Sequence, residues 1–189
     1  MANIAASETN KFVGISALHV IKGGFHANFG LPSGDGAAVL TEIPVAEDGG
    51  FTYTGGEPSI EHYKIHGLTA DWTSRTTPGE TQVNLFVPSI TKSLLELFGF
   101  KVKDASGSAA GKSITSGFMF AETSLAVNLG IAAINDEGNK LFGIKAAKLS
   151  ATIVFDEANS AKPIGISLTG STSAGGDADA MGIFELASE

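Results

Sequence analysis

The chain contains no cysteine and almost no arginine: among its 189 residues, arginine occurs once, at Arg75. Without cysteine, the chain can form no disulfide, thiolate nucleophile or cysteine-ligated metal site. Arginine is the side chain best suited to contact bases and phosphates, and nucleic-acid binding usually needs a basic surface. The formal net charge is −8, from 20 acidic and 12 basic residues. We therefore expect no sequence-specific binding of nucleic acid.

Long apolar runs and targeting signals are missing as well. The most apolar stretch, residues 117–134, is interrupted by polar residues such as Glu122 and Asn128, so it falls short of a membrane span. The first eight residues have no basic group ahead of an apolar run, unlike a secretory signal. These patterns predict a protein that is neither exported nor bound to a membrane.

What the chain does contain is many short β-type runs separated by Gly, Asn and Asp. There are 24 glycines and only six prolines, and no segment of low complexity or long charge run divides the chain. The pattern predicts a single domain over residues 1–189, preceded by a flexible N-terminal arm at residues 1–11. The expected fold class is mainly β, an antiparallel β-sandwich or barrel with one flanking α-helix at about residues 89–98.

The expected helix directly follows the most regular of the early strands. Apolar residues alternate along residues 82–87, which gives this strand one apolar face. Pro88 ends the strand because it has no N–H to donate. Ser89 is the predicted N-cap of the helix, and Gly99 is the predicted residue just past its end.

Four further segments carry expectations that the structure can test. Residues 60–72 read as one long extended segment, and residues 103–113 read as a flexible loop. Residues 149–155 and 164–168 each alternate between apolar and polar positions, which predicts two strands with one buried face each.

One motif approaches a phosphate-binding loop. Residues 107–113 read GSAAGKS, but the position where the pattern needs its first glycine is Ser106. The following residues are β-branched and glycine-containing, which does not favour a helix. We interpret this segment as a solvated loop.

Histidine and carboxylate positions do not assemble a metal or catalytic site. His62 and His66 are four residues apart, which on a strand separates them by roughly 13 Å. The pairs Asp136/Glu137 and Asp156/Glu157 lie in predicted turns, where solvated charges are the ordinary case. We expect no metal or cofactor.

Ser89 and Lys92 have the Ser-x-x-Lys spacing of some acyl-transfer enzymes, but the companion motifs are missing. Capping of the helix explains Ser89 without catalysis. The sequence therefore predicts that the protein is not an enzyme.

Two segments resemble the major tail-tube proteins of phages and the related tube proteins of contractile injection machines. The first lies within residues 51–100, where TGGEPSIEHYKIHG is followed, after a turn, by ETQVNLFVP and the helix SITKSLLELFG. The second is LSATIVFDEANSAKPIGISLTGSTS at residues 149–173, a strand pair with a charged turn.

The resemblance implies a structural virion protein. Its copies would form homo-hexameric rings that stack into a hollow tube for DNA passage, with other tail proteins as further partners. The location would be the virion tail, after assembly in the bacterial host cytoplasm. A segment near the N-terminus reaches the next ring in this family, so residues 29–53 are the candidate stacking region here. Its candidate ring-stacking contacts are Phe29, Leu31, Phe51 and Tyr53.

Two other readings stay open. A non-catalytic carbohydrate- or protein-binding β-sandwich module would present exposed aromatic rings, and the candidates are Phe51, Tyr53, Tyr63 and Trp72. An enzyme on a small β-barrel would need a pocket around a titratable group such as His62.

Overall fold

The computed structural model describes residues 14–26, 29–30, 40–45, 50–67, 69, 72–155, 164–173 and 180–186. The elements, in chain order, are strands β1 (Ala17–Lys22), β2 (Thr41–Ile43), β3 (Phe51–Thr54), β4 (Ser59–Tyr63), β5 (Thr73–Thr77) and β6 (Gln82–Val87), helix α1 (Lys92–Leu97), and strands β7 (Val102–Ala109), β8 (Lys112–Phe120), β9 (Val127–Ile134), β10 (Lys140–Val154), β11 (Gly165–Thr172) and β12 (Met181–Glu185). The predicted class is confirmed: the protein is mainly β, with antiparallel sheets and one short helix. The sheets are sandwich-like, and the described strands do not close into a barrel.

The largest sheet is built around β10. It has the strand order β2-β1-β9-β10-β11-β6-β3, with β12 joined to β10 as well. One edge of β10 pairs with β9; the other edge pairs with β12 over residues 140–144 and with β11 over residues 147–154. A bulge at residues 145–146 separates these two halves, and the Lys145 N–H donates to the carbonyl of Ala180 across the break. The bulge thus divides the sheet into two parts, which we call its wings: one contains residues 140–144 of β10 and the other contains residues 147–154.

The hydrophobic core lies between those two wings. Phe142, on the first half of β10, meets Phe51 and Tyr53 of the edge strand β3, with ring centroids 6.4 and 5.9 Å apart. The edge strand therefore folds back over the start of β10. The largest fully buried core side chains come from both wings and the helix: Leu18, Val20, Leu85, Leu95, Phe98, Leu129, Ile131, Ile144, Leu149, Ile166 and Leu168.

The predicted apolar faces are largely confirmed. The alternating residues of β6 are buried, and so are Leu149 and Ala151 on β10 and Ile166 and Leu168 on β11. Phe155, predicted to share the buried face of β10, instead follows the last residue of that strand and is 68% exposed. Ile164, predicted to share the buried face of β11, precedes the first residue of that strand and is 47% exposed. The alternation ends where the pairing with β11 ends.

A second, smaller apolar cluster covers the opposite face of the sheet, and we call it the outer cluster. It consists of Ile21, Phe25, Phe29 and Phe184. The Phe29 ring lies 5.5 Å from that of Phe25 and 4.9 Å from that of Phe184. A Cβ atom on Gly143 would come within 2.6 Å of the Phe29 ring, and one on Gly130 within 2.5 Å of the Phe25 ring. The two glycines thus leave the space in which the rings lie.

Helix α1 is shorter than predicted and begins later. Its N-cap is Thr91, whose hydroxyl accepts the Leu94 N–H at 3.3 Å, so the prediction of Ser89 as the cap is wrong. Ser89 and Thr91 are both residue types that favour the N-cap, so the sequence alone does not decide between them. Gly99 has φ of +84°, as expected just past a helix end.

Two segments predicted as a single strand and as a loop are both β-hairpins. Residues 60–72 do not form one strand: β4 ends at Tyr63, and the chain turns back to pair with β5. Residues 103–113 are not a loop, because β7 and β8 pair through them around a turn at Ala110 and Gly111. Both turn residues have positive φ, +50° and +75°, which suits a tight two-residue hairpin turn. Polar strands give little apolar alternation, so the sequence pattern missed β5 and β7.

The ring contacts across the core can be measured by a double-mutant cycle. We expect Phe142→Ala to lower the free energy of unfolding by about 3 kcal/mol, since a large core-facing side chain is lost. Combined with Tyr53→Ala, the two changes should show a coupling of about 0.5–1.5 kcal/mol, typical of aromatic pairs. Urea denaturation gives both values. The control, Phe155→Ala, should stay within about 0.5 kcal/mol of wild type because that ring is exposed. Strict additivity of Phe142→Ala and Tyr53→Ala would contradict the described packing.

Candidate functional site

The hairpin formed by β4 and β5 is an extension of the hairpin formed by β3 and β6. In the inner pair, Phe51 lies opposite Leu85 and Thr54 opposite Gln82; in the outer pair, Ser59 lies opposite Thr77. Every one of these pairs has position numbers that sum to 136. The pairing therefore continues in the same register, without insertion or deletion, from the main sheet to the tip. We call residues 59–77 the distal hairpin.

A short connecting region, the neck, separates the distal hairpin from the main sheet. It consists of residues 55–58 and 78–81, which are outside any strand. From Thr54 to Tyr63 the extended chain covers about 30 Å, at about 3.3 Å per residue. The distal hairpin thus projects well beyond the last ladder pair of the main sheet.

The distal hairpin is exposed on both faces. All five residues of β4 and all five of β5 are exposed. Apolar side chains are among the exposed ones: Ile60 is 54%, Tyr63 47%, Ile65 45% and Trp72 67% exposed. Several exposed apolar residues on one projecting element often mark an interaction surface. This hairpin is therefore the candidate functional site.

Polar contacts order the surface near the tip. The Tyr63 hydroxyl donates to the Glu61 carboxylate at 2.8 Å. The backbone N–H of Trp72 donates to the backbone carbonyl of Tyr63 at 2.9 Å. The carboxylate of Glu61, by accepting this hydrogen bond, raises the pKa of Tyr63, and burial adds a smaller effect in the same direction. Arg75 lies directly across from Glu61 in the ladder. The one arginine of the chain is thus on this hairpin.

The four predicted stacking residues do not form one surface. Phe51 and Tyr53 share a face, as expected, but that face is packed against Phe142 and the core. Phe29 lies in the outer cluster, on the opposite side of the sheet, because it covers Gly143 while the next residue back, Phe142, faces the core. Leu31 lies outside the described residues. A contact between rings through these positions stays a prediction.

The phosphate-loop-like motif falls on a hairpin rather than on a loop before a helix. Residues 107–113 run from the end of β7, through the Ala110 and Gly111 turn, into β8. A phosphate-binding loop needs successive N–H groups that converge ahead of a helix. Here the chain is extended on both sides of the turn, so the motif lacks that geometry.

The remaining candidates for a catalytic or metal site are Lys92, the two histidines of residues 62–66 and the paired carboxylates. Lys92 forms an ion pair with Asp104 at 2.7 Å, and that hydrogen bond raises the pKa of Lys92. A raised pKa keeps the amine protonated, the opposite of what a catalytic base needs. His62 is on β4, whereas His66 lies in the turn beyond it. Asp136 and Glu137 are exposed in a turn, and Asp156 and Glu157 lie outside the described residues.

Metal-binding clusters and membrane-spanning helices are both absent from the described residues. They contain no group of three or more His, Asp or Glu side chains placed to hold a metal ion. The described part of the chain also has no helix with the length and apolar character to cross a membrane.

Sequence reasoning singled out Tyr63 and Trp72 as exposed rings but missed the hairpin that carries them. A signal for the hairpin is present in the sequence: Pro58 and Pro78 are each ten residues from position 68. The paired strands on each side are placed symmetrically about the same position. Polar strands with exposed faces have no apolar period, so only this mirror relation points to them.

The contact at the tip can be tested by titration. We expect Glu61→Gln to lower the pKa of Tyr63, because the negative charge that stabilises the protonated phenol is removed. The measurement is a pH titration of ring carbon signals by NMR, which is simple because Tyr53 and Tyr63 are the only tyrosines. The control, Glu57→Gln, should leave the Tyr63 titration where it is. An unmoved Tyr63 in the Glu61→Gln protein would show that the hydrogen bond is not formed in solution.

Comparison with known proteins assigns no family. No protein-family model matches the chain, and no curated protein matches it at a significant level.

Proposed function

We propose that this chain is a structural, self-assembling subunit of the tail-tube type, whose copies form hexameric rings that stack into a hollow tube. The observation that carries the proposal is the distal hairpin. It extends the main sheet by about 30 Å, at about 3.3 Å per residue, and presents apolar side chains that no described element covers. A second copy of the chain is the partner that a tube subunit supplies.

The two edge strands of the main sheet support the same proposal. The main sheet ends in β2 on one side and β3 on the other, and no barrel closure joins these two edges in the described chain. Open edges offer backbone N–H and C=O groups to a neighbouring strand. A contact between two different surfaces of identical copies generates a ring when its rotation closes. A chain with two unlike edges and a projecting hairpin has the surfaces that such a contact needs.

The charge distribution is compatible with DNA passing through such a tube. Affinity for phosphate grows with the number of basic contacts. With a net charge of −8 and a single arginine, the chain offers few of them. A tube of this composition would let DNA slide without holding it. In this proposal the protein acts in the virion tail, has other tail proteins as partners and catalyses no reaction.

The exposed rings favour a second candidate, a carbohydrate-binding module. Tyr63 and Trp72 are both strongly exposed at the tip of the distal hairpin. Sugar rings stack on such aromatic side chains, so the tip could be a glycan site rather than a subunit contact. A glycan array with the wild-type protein and Trp72→Thr separates the two: glycan binding by a strict monomer, lost in the variant, would support the module.

Removal of the distal hairpin tests the assembly proposal directly. Because Gly56 and Glu80 lie at matching register positions, residues 57–79 can be replaced by Asn-Gly, which closes a two-residue hairpin turn. We expect the wild type to form rings and tubes, and the shortened protein to remain a monomer at every concentration. Light scattering over a concentration series, with negative-stain images of each peak, provides the measurement.

A second variant keeps the hairpin and changes only its apolar surface, with Ile60, Tyr63, Ile65 and Trp72 all replaced by Thr. It should also fail to assemble. The matched control replaces Leu125 and Phe155, which are equally exposed elsewhere, and should assemble like wild type. Rings from the shortened protein would rule out the distal hairpin as the contact. A wild type that stays monomeric at every concentration would overturn the proposed function.

A further inference from the structure

The hydrogen-bonding pattern of the long hairpin identifies a special position in the neck. In an antiparallel ladder, directly opposed pairs alternate between those that exchange two hydrogen bonds and those that exchange none. The Phe86 N–H donates to the Gly50 carbonyl, so the pair 50–86 is of the bonded kind. Every second pair after it is therefore also bonded, and this series includes the pair 58–78.

Both residues at that bonded position are proline. Pro58 and Pro78 have no N–H, so neither bond that the register calls for can form. The ladder of the inner hairpin ends at Thr54 and Gln82, and the ladder of the distal hairpin begins at Ser59 and Thr77. Four positions on each strand between these ends belong to no strand. One proline would remove one bond, whereas an opposed pair removes both.

The neck is also thin, because glycine occurs on both of its strands. A Cβ atom on Gly79 would come within 2.3 Å of the Glu57 carbonyl oxygen, and one on Gly56 within 2.2 Å of the Gly79 carbonyl carbon. The two backbones thus touch directly, without side chains that interlock across the strands. A region with close backbones, no cross-strand ladder and no interlocking side chains can bend and twist more easily than the paired strands on either side.

We propose that the neck is a joint, about which the distal hairpin changes its angle to the main sheet. Its two strands move together, since the unchanged register holds them in one hairpin. The joint would let the distal hairpin move to the one angle that all copies share in a symmetric ring or stack of rings. This role in assembly rests on the proposed function, whereas the joint itself is a property of the single chain.

The experiment is a distance measurement between two spin labels, for which the absence of native cysteine is ideal. One label replaces Thr76 on the distal hairpin and the other replaces Thr169 on β11. Both positions are exposed. The double change Pro58→Thr and Pro78→Thr supplies both missing N–H donors, so the two backbone hydrogen bonds of the pair 58–78 can form. The matched control is Pro44→Thr, a proline exchange outside the neck.

We expect a broad distance distribution in the wild type and in Pro44→Thr, and a narrow one in the double variant. Hydrogen exchange at the neighbouring bonded pair, Ile60 and Thr76, should slow by at least about fivefold in the unlabelled double variant, since each of the two added backbone hydrogen bonds contributes about 1 kcal/mol. A reference label pair within the main sheet, at Lys22 and Thr169, should be narrow in all three proteins.

Each outcome has a separate meaning for the joint and for the assembly. A wild-type distribution as narrow as that of the double variant would overturn the joint, even if rings form. A broad wild-type distribution in a protein that never assembles would keep the joint and overturn the proposed function. If circular dichroism shows that the double variant does not fold, Gly79→Ala replaces it. The added Cβ should force the neck strands apart, so the distance distribution of Gly79→Ala should be shifted from that of the wild type. An unshifted distribution in Gly79→Ala would also overturn the joint.

Discussion

The pairing of β10 determines how the rest of the molecule is placed. One edge of this strand pairs with β9, and the other edge pairs with β12 and then with β11. The bulge at residues 145–146 separates the β12 pairing from the β11 pairing. Because β11 pairs with β6 and β6 pairs with β3, the second half of β10 fixes the position of the edge strand β3. Phe142 then holds β3 from the inside of the core. The distal hairpin projects from this edge, so its location follows from a bulge far from it along the chain.

The strands that the sequence predicts well are those that bury one face. The alternation along β6 and β11 and in the second half of β10 matches the buried positions, because removal of apolar area from water both sets the pattern and stabilises the sheet. Strands β5 and β7 were missed for the same reason. These two strands consist largely of small, polar and charged residues, and most of them are exposed, so burial imposes no apolar period on them. The predicted helix start was two residues early because Ser89 and Thr91 are both capping residue types, and it is Thr91 that accepts the capping hydrogen bond.

The aromatic residues fall into three groups that the sequence alone could not separate. Phe51 and Tyr53 face the core, Phe29 fills the outer cluster over Gly143, and Trp72 is exposed at the tip. Consecutive β10 residues, Phe142 and Gly143, face opposite sides of the sheet and so divide the first two groups. Trp72, which is 67% exposed, has the largest solvent-facing fraction of these four residues to offer a partner. The candidate contact surface therefore moves from the residues that the resemblance indicated to the distal hairpin, while the proposal of self-assembly stays the same.

The proposed contact would depend on apolar area and backbone hydrogen bonds more than on charge. Exposed ion pairs contribute little to stability or association, and Glu61 on the distal hairpin already accepts a hydrogen bond from Tyr63. Arg75, opposite Glu61, further balances the charge of that face. A near-neutral face with Tyr63 and Ile65 among its neighbours gains free energy mainly by leaving water. Such burial is weakly directional, so it does not by itself fix the angle at which two copies meet. In this proposal the angle is set by the two surfaces that come together, and the paired prolines of the neck allow the hairpin to adopt it.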